Sequence, residues 1–205
     1  FHVGLAQLDL ELDDLAGAEA HLETARVLGE RASITENRHR WYVAMAQLRA
    51  TLGDHEDAAR LLDQAQALYR HGFYPDVRPL PAMRARLDLA RGDLAAAEEW
   101  ARGRGVTPGD AIAYLREYDH LTLVRLLLAR YRAGDRAALD GVSALLDRLH
   151  ADAAHQNREG SLLEIGMLQA QAHHALGEPD RAVTDLGRAL TRAPEPDAYV
   201  RLFLD

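Results

Sequence analysis

The chain contains no cysteine and no lysine, and each absence excludes a kind of site. Without cysteine there can be no disulfide and no thiolate metal site, which fits a reducing compartment, so we expect a cytoplasmic protein. All 24 basic side chains are arginine, so the chain offers neither the lysine of a P-loop nor one that could form a Schiff base. We therefore expect no cofactor in this chain. Any ATP that the whole protein uses would bind outside it.

Aromatic residues, long apolar runs and positive charge are also scarce. Aromatic residues make up 6% of the chain, while alanine, leucine and arginine dominate, which favours helix over strand. No apolar run approaches the roughly 18 residues of a membrane-spanning helix, and no signal-peptide pattern opens the chain. The net charge of -8 is the wrong sign for gripping a phosphate backbone. We expect no membrane partner and no direct contact with nucleic acid.

Groups that carry enzyme or metal chemistry are few. The three serines, Ser33, Ser143 and Ser161, lie outside any G-x-S-x-G turn. No two of the ten histidines have the spacing of three or four that would place them on one helix face. Glu117-x-x-His120 matches half of a di-iron carboxylate motif, but a second copy is missing. The sequence therefore predicts no catalytic residue, no metal site and no enzyme.

A short turn pattern recurs along the chain. It occurs at Asp13-Asp14, Gly53-Asp54, Gly92-Asp93, Gly134-Asp135 and Gly177-Glu178, whose first residues are 40, 39, 42 and 43 positions apart. Such a period is typical of a solenoid, in which each unit buries its apolar face against its neighbours. Glycine can end one helix in a left-handed conformation, and an acidic residue favours the start of the next. The pattern predicts five antiparallel helical hairpins.

The period alone does not identify the repeat family, because HEAT and armadillo arrays also have repeats of about 40–47 residues. The positions of the small residues distinguish between these families. Five positions after the turns come Ala18, Ala58, Ala97 and Ala182, with Leu139 as the exception. Small side chains there allow the two helices of a hairpin to lie close together, as in the tetratricopeptide repeat (TPR), which the pattern resembles. We predict an all-α, TPR-like helical-hairpin solenoid wound as a right-handed superhelix, with about five hairpins and a roughly 40-residue period.

The predicted hairpins form one repeat domain over residues 1–205. Their approximate bounds are 1–31, 36–71, 79–103, 114–155 and 158–192, with the start of a sixth at 197 and the second helix of the fourth near 135–155. Three prolines forbid a continuous helix through the connection 71–81, and the connection 102–110 is rich in glycine. The chain opens inside a helical pattern with no initiator methionine, so we expect it to be a piece of a longer protein.

The stretch RLDLARGDLAAAEEWARGRGVTPGD (86–110), followed closely by YLREYDHLTLVRLLLA (114–129), resembles the sensor region of MalT-like regulators. These are large ATP-binding transcriptional regulators of the LuxR family. The resemblance covers essentially the whole chain and is most distinctive between Arg86 and Ala129. It implies an effector-sensing or protein-interaction segment that lies between an NTPase domain and a helix-turn-helix domain.

The resemblance also implies partners. They are a small-molecule effector, for which a sugar is one candidate, or a protein or peptide, together with the chain's own NTPase and helix-turn-helix domains; self-association is a further option. ATP would serve the full-length protein outside this segment. The alternative is a general TPR adaptor that binds a peptide or helix of another protein.

The first helices of the hairpins should line the concave groove of a solenoid. Six positions before the turns come Gln7, Gln47, Arg86, Leu128 and Gln171, of which four are polar. This row is either a ladder of hydrogen-bonding groups for a polar ligand or a face that merely meets solvent.

Two further clusters allow both a functional and a packing interpretation. Arg38, His39, Arg40, Trp41 and Tyr42 suit sugar or anion recognition, or they pack between hairpins. The second cluster either forms a pocket beside the connection 102–110 or packs in the protein interior. It consists of Tyr114, Glu117, Tyr118 and His120. The apolar residues between Leu121 and Leu128 are too widely distributed for one stripe and predict a buried helix. The predicted binding residues are Gln7, Arg40, Gln47, Arg86, Glu117, Tyr118, His120 and Gln171.

Overall fold

The computed structural model describes residues 1–32, 35–70, 72, 76–193 and 200–204. Within these ranges the secondary structure is helical and contains no strand, which confirms the predicted all-α, TPR-like hairpin fold. The helices are α1 (His2–Glu11), α2 (Leu15–Ala32), α3 (Thr35–Thr51), α4 (His55–Leu68), α5 (Leu80–Ala90), α6 (Leu94–Arg104), α7 (Glu117–Arg132), α8 (Val142–His155), α9 (Glu159–Ala175), α10 (Pro179–Arg192) and α11 (Val200–Leu204). Two short 3-10 helices, Tyr114–Arg116 and Arg136–Leu139, precede α7 and α8.

The chain divides into two compact units. Unit 1 comprises Phe1–Pro75 with Asp197–Asp205, and unit 2 comprises Asp76–Pro196. The single-domain organisation and the right-handed superhelix stay predictions. The expected start of a sixth hairpin at 197 falls outside the described residues, and so does most of 71–75 in the proline-containing connection. None of the helices in the described ranges combines the length and apolar character needed to cross a bilayer.

Unit 1 consists of two hairpins, α1 with α2 and α3 with α4, and α11 packs on α1. Leu22 and Leu48 are fully buried at its centre. The indole Nε1 of Trp41 in α3 donates a hydrogen bond of 2.7 Å to the backbone carbonyl of Leu22 in α2. Trp41 therefore packs between the two hairpins, as one of its two interpretations predicts.

Unit 2 consists of the hairpins α5 with α6, α7 with α8, and α9 with α10. Its core is one continuous cluster in which Val124 and Leu128 of α7 pack with Leu145 and Leu149 of α8 and with Ile165 of α9. All six apolar residues of the Leu121–Leu128 stretch are at least nine-tenths buried, which confirms the prediction of a buried helix.

The recurring turns have the predicted left-handed geometry. The backbone φ of the first turn residue is 61° at Asp13, 82° at Gly53, 77° at Gly92, 108° at Gly134 and 79° at Gly177. The amide that follows donates back across the helix end, as from Asp93 to the carbonyl of Asp88 at 2.8 Å. This is the bond of a Schellman cap.

The acidic residue of the turn caps the next helix in three of the five turns. The side chains of Asp14, Asp54 and Asp93 each accept a hydrogen bond from the amide three residues later. Asp135 and Glu178 make no such bond. Capping by aspartate is thus part of the repeat but is not required for every turn.

The fourth hairpin differs from the predicted helix map. A continuous second helix is expected from about residue 135, but only the 3-10 turn Arg136–Leu139 forms there, and α8 begins at Val142. Gly141 has a φ of 81°, which a helical residue cannot adopt, so the chain must restart after it. Leu139, the exception to the small-residue pattern, lies in this interrupted stretch.

Candidate functional site

The eight predicted binding residues divide between the two units. Gln7, Arg40 and Gln47 lie in unit 1, where the two glutamines are half-buried and Arg40 is exposed. The other five, Arg86, Glu117, Tyr118, His120 and Gln171, lie in unit 2. Their binding roles stay predictions, but the structure shows which of them meet.

A polar strip runs along α7 although most of this helix is buried and apolar. Tyr118, Thr122 and Arg125 have the spacing i, i+4, i+7, which places them on one helix face. The hydroxyl of Thr122 donates to the backbone carbonyl of Tyr118 at 2.8 Å and is fully buried. Helix α7 itself packs on α5 and on α9, the first helices of the neighbouring hairpins in unit 2.

Arg86 of α5 reaches across this strip. Its guanidinium carbon lies 3.8 Å from the centroid of the Tyr118 ring, and its Nε donates to the Thr122 hydroxyl at 2.9 Å. Its Nη1 forms an ion pair of 2.9 Å with Oε1 of Glu164 in α9. One side chain thereby joins α5, α7 and α9.

A second arginine forms an ion pair with the same oxygen of Glu164. Nη2 of Arg125 lies 3.1 Å from Oε1 of Glu164. Burial acts to raise the pKa of the Glu164 carboxyl, but the positive charges of Arg86 and Arg125 outweigh it and hold the pKa below its ordinary value of 4.5. The carboxylate is therefore ionised throughout the physiological range.

We call Arg86, Tyr118, Thr122, Arg125 and Glu164 the arginine network. Burial acts to lower the pKa of Arg86, but Glu164 and the Tyr118 hydroxyl overcome this effect and raise the pKa. Two guanidinium groups face one carboxylate, so the network carries an excess positive charge. Because the charged side chains of Arg86, Arg125 and Glu164 keep 20%, 18% and 13% of their surface exposed, a ligand that brings an oxygen acceptor or a negative charge could reach them.

The Nη2 atom of Arg86 supplies a donor that the fold does not use. It is buried and has no hydrogen-bond partner in the part of the chain that the structure describes. A buried donor without a partner costs free energy. Because Nη2 is buried, a ligand could pair with it only after the side chains that cover it had moved.

Polar contacts continue on both sides of the network. Glu117 accepts hydrogen bonds of 2.6 Å from Nη2 of Arg158 and from the hydroxyl of Ser161. Gln171 accepts a bond of 3.2 Å from Arg132. Glu117 and Gln171 thus also connect α7 with α9. Glu117 in addition connects α7 with Arg158, the residue before α9. Among the described residues no group of three or more histidine, aspartate or glutamate side chains is arranged to hold a metal ion.

His120 lies apart from the network. Its side chain is fully buried, and its Nε2 is 3.8 Å from the carboxylate of Asp110 in the loop before α7. Neither ring nitrogen makes a hydrogen bond within the described residues. Burial is the main cause that holds the pKa of His120 below its ordinary value of 6.5. Of the predicted residues, only Arg86 and Tyr118 belong to the arginine network.

Thr122, Arg125 and Glu164 are the network residues that the sequence analysis does not identify. Thr122 and Arg125 carry a visible signal, because they interrupt an apolar stretch at a spacing of three. Glu164 carries none, since its pairing with Arg86 spans three helices and does not follow the repeat period.

Paired helices joined by left-handed turns, with polar contacts running across successive first helices, define a helical-hairpin repeat protein. The chain belongs to the family described as the MalT-like TPR region, whose model matches residues 1–205.

Comparison with curated proteins gives relatives that are much longer. The chain is 28% identical over 197 residues to the serine/threonine-protein kinase PknK of Mycobacterium tuberculosis and to the protein of the same name from Mycobacterium bovis. Each alignment covers 93% of this chain but 17% of the relative. The match therefore concerns a segment of those proteins. No solved structure matches the chain significantly.

Proposed function

We propose that the chain is the effector-sensing or protein-interaction segment of a MalT-like, LuxR-family transcriptional regulator. In this proposal the chain is cytoplasmic and non-catalytic, and DNA binding and ATP use reside elsewhere in the parent protein. The observation that carries the proposal is the match of the MalT-like TPR family to the whole of residues 1–205.

The arginine network supplies the chemistry for sensing. Arg86 contacts α7 and α9 from α5, so a ligand that binds Arg86 would act on three first helices at once. A ligand changes a conformational equilibrium only through a difference in its affinity for the two states. A polar effector that binds Arg86 and weakens its contact with Glu164 would favour a different arrangement of these helices.

The first test is to sequence the source reading frame beyond both ends of the chain. A P-loop on the N-terminal side and a helix-turn-helix on the C-terminal side are the expected result. The absence of both would contradict the regulator and would favour the general TPR adaptor.

One observation favours a second parent protein. The PknK relatives are named protein kinases, so the same kind of segment could belong to a kinase and regulate it. Protein-kinase motifs in the flanking sequence, such as a catalytic H-R-D loop and a D-F-G sequence, would establish this candidate in place of the transcriptional regulator.

The second test concerns ligand binding by the full-length protein. A panel of mono- and oligosaccharides would be screened by thermal unfolding, because a ligand at about 100 times its Kd stabilises the folded state by about 2.7 kcal/mol. Any compound that raises the Tm would then be titrated against Arg86→Gln and Gln47→Ala. Unchanged affinity in both variants would exclude Arg86 and Gln47 from its binding site.

A further inference from the structure

A cavity of about 770 Å³ lies in unit 1, separate from the arginine network. It is formed by the start of α1, the second half of α2, the first turns of α3 and the middle of α4. This volume is in the range of about 300–1,000 Å³ that small-molecule sites occupy.

The charge of this cavity is opposite to that of the chain. Its described lining includes Arg26, Arg38 and Arg40 but no aspartate or glutamate, whereas the chain as a whole has a net charge of -8. Arg26 forms a 2.7 Å ion pair with Glu23, which is outside the lining. Arg38 and Arg40 are exposed and make no hydrogen bond or ion pair within the described ranges. Two positive charges are therefore left for a ligand.

Aromatic rings form part of the same wall. The rings of Trp41 and Tyr42 lie 5.2 Å apart at an angle of 79°. The indole is held in place by its bond to the Leu22 carbonyl. A fixed aromatic surface favours contact with a ring, while Asn37 and Gln64 add amide groups to the lining.

We propose that this cavity binds a small organic anion that contains a ring. The positive charges of Arg38 and Arg40 in the cavity lining attract the phosphate or carboxylate group of the ligand, and its ring packs against Trp41 and Tyr42. This proposal does not depend on whether the parent protein is a transcriptional regulator, a kinase or an adaptor.

The test is isothermal titration calorimetry on the full-length protein with phenyl phosphate as the probe. Inorganic phosphate and benzyl alcohol represent its two halves. Phenyl phosphate should bind at least about tenfold more tightly than either half. Equal affinity for inorganic phosphate and phenyl phosphate would indicate an adventitious ion only. No binding of phenyl phosphate at millimolar concentration would also overturn the proposal.

Two sets of variants assign the binding to the cavity. Arg38→Gln with Arg40→Gln should weaken phenyl phosphate binding about tenfold or more. The matched control, Arg102→Gln with Arg181→Gln, removes the same charge from exposed positions in unit 2 and should keep the original affinity. An equal loss in both double variants would show that only net charge matters.

A single variant separates the ring from the anion. Tyr42→Leu should weaken the binding of phenyl phosphate and leave that of inorganic phosphate unchanged. Circular dichroism would establish that each variant is folded before titration. An unchanged affinity for phenyl phosphate in folded Tyr42→Leu would contradict the proposed ring contact.

Discussion

Glu164 is the residue on which the arginine network depends. It is the one carboxylate in the network, and it receives both Arg86 and Arg125. Without its charge, Arg86 and Arg125 would lose the carboxylate that both of them pair with. We expect Glu164→Gln to lower the free energy of unfolding by about 1.5–3 kcal/mol, the usual contribution of a hydrogen bond to a charged group. Urea denaturation would measure this change.

The control for Glu164 lies on the same helix. Glu159 forms an exposed ion pair with Arg192, and such surface pairs contribute about 0–1 kcal/mol. Glu159→Gln should therefore change the stability little. Equal effects of the two substitutions would show that burial of the network adds nothing.

Glu164 also gives the stability a dependence on acid pH. Because its folded-state pKa lies below the ordinary value of 4.5, its contribution is fully present above pH 4.5. It is lost as the pH falls through the lower folded-state pKa. We expect the stability difference between the native protein and Glu164→Gln to shrink in this window, as measured by urea denaturation at a series of pH values.

His120 should respond in a different pH window. Asp110, Arg116, Asp119 and Arg148 surround it, but burial is the largest influence and lowers its pKa. Below pH 6.5, its ordinary value, the unfolded chain binds a proton before the folded chain does, so stability falls as the pH falls.

His120→Leu should remove this pH dependence and be neutral or stabilising at pH 7.5, because it eliminates two buried nitrogens that lack partners among the described residues. Denaturation at pH 7.5 and 5.5 would measure the effect. The exposed His174 provides the control, and His174→Gln should keep the native profile. A native-like loss of stability at pH 5.5 in His120→Leu would show that His120 is not the source of the pH dependence.

For single side chains, the sequence predicts which residues occupy repeated positions but not which side chains they contact. Arg86 is predicted because it occupies a repeated position before a turn. Its pairing with Glu164 depends on the separation of α5 and α9 across α7, which no local spacing encodes. The burial of His120, 3.8 Å from the carboxylate of Asp110, likewise depends on where the loop before α7 lies.

Substitution by alanine should have opposite effects on stability at a glycine with a left-handed backbone and at a glycine inside a helix. Gly141 has a φ of 81°, and an added Cβ would lie 3.6 Å from Cβ of Pro108. Gly187 lies inside α10, and apart from its own helix backbone its added Cβ would meet no described atom within 4 Å. We expect Gly141→Ala to destabilise the protein by about 1–2 kcal/mol and Gly187→Ala to stabilise it by about 0.5–1 kcal/mol. Thermal and urea unfolding would compare them, and a stabilising Gly141→Ala would contradict the observed start of α8.

The same contrast explains which turns could be predicted. A left-handed glycine followed by an acid has a fixed local geometry, so the turns at Gly53, Gly92, Gly134 and Gly177 follow from the sequence. The interruption of the fourth hairpin at Gly141 does not. Gly141 lies outside the repeated turn positions and no acidic residue follows it, so neither the period nor the turn pattern could reveal it.

Each of the two units has its own buried core. Leu22 in unit 1 and Leu145 in unit 2 are both fully buried, and Leu→Ala at such positions costs about 2–5 kcal/mol. In repeat proteins stability is a sum of local terms and nearest-neighbour terms. We therefore expect Leu145→Ala to increase amide hydrogen exchange in α7–α9 more than in α1–α4, and Leu22→Ala to do the reverse. Mass spectrometry of exchanged peptides would measure both, with each variant serving as the control for the other. Equal deprotection of both units by either substitution would show that they unfold as one cooperative structure.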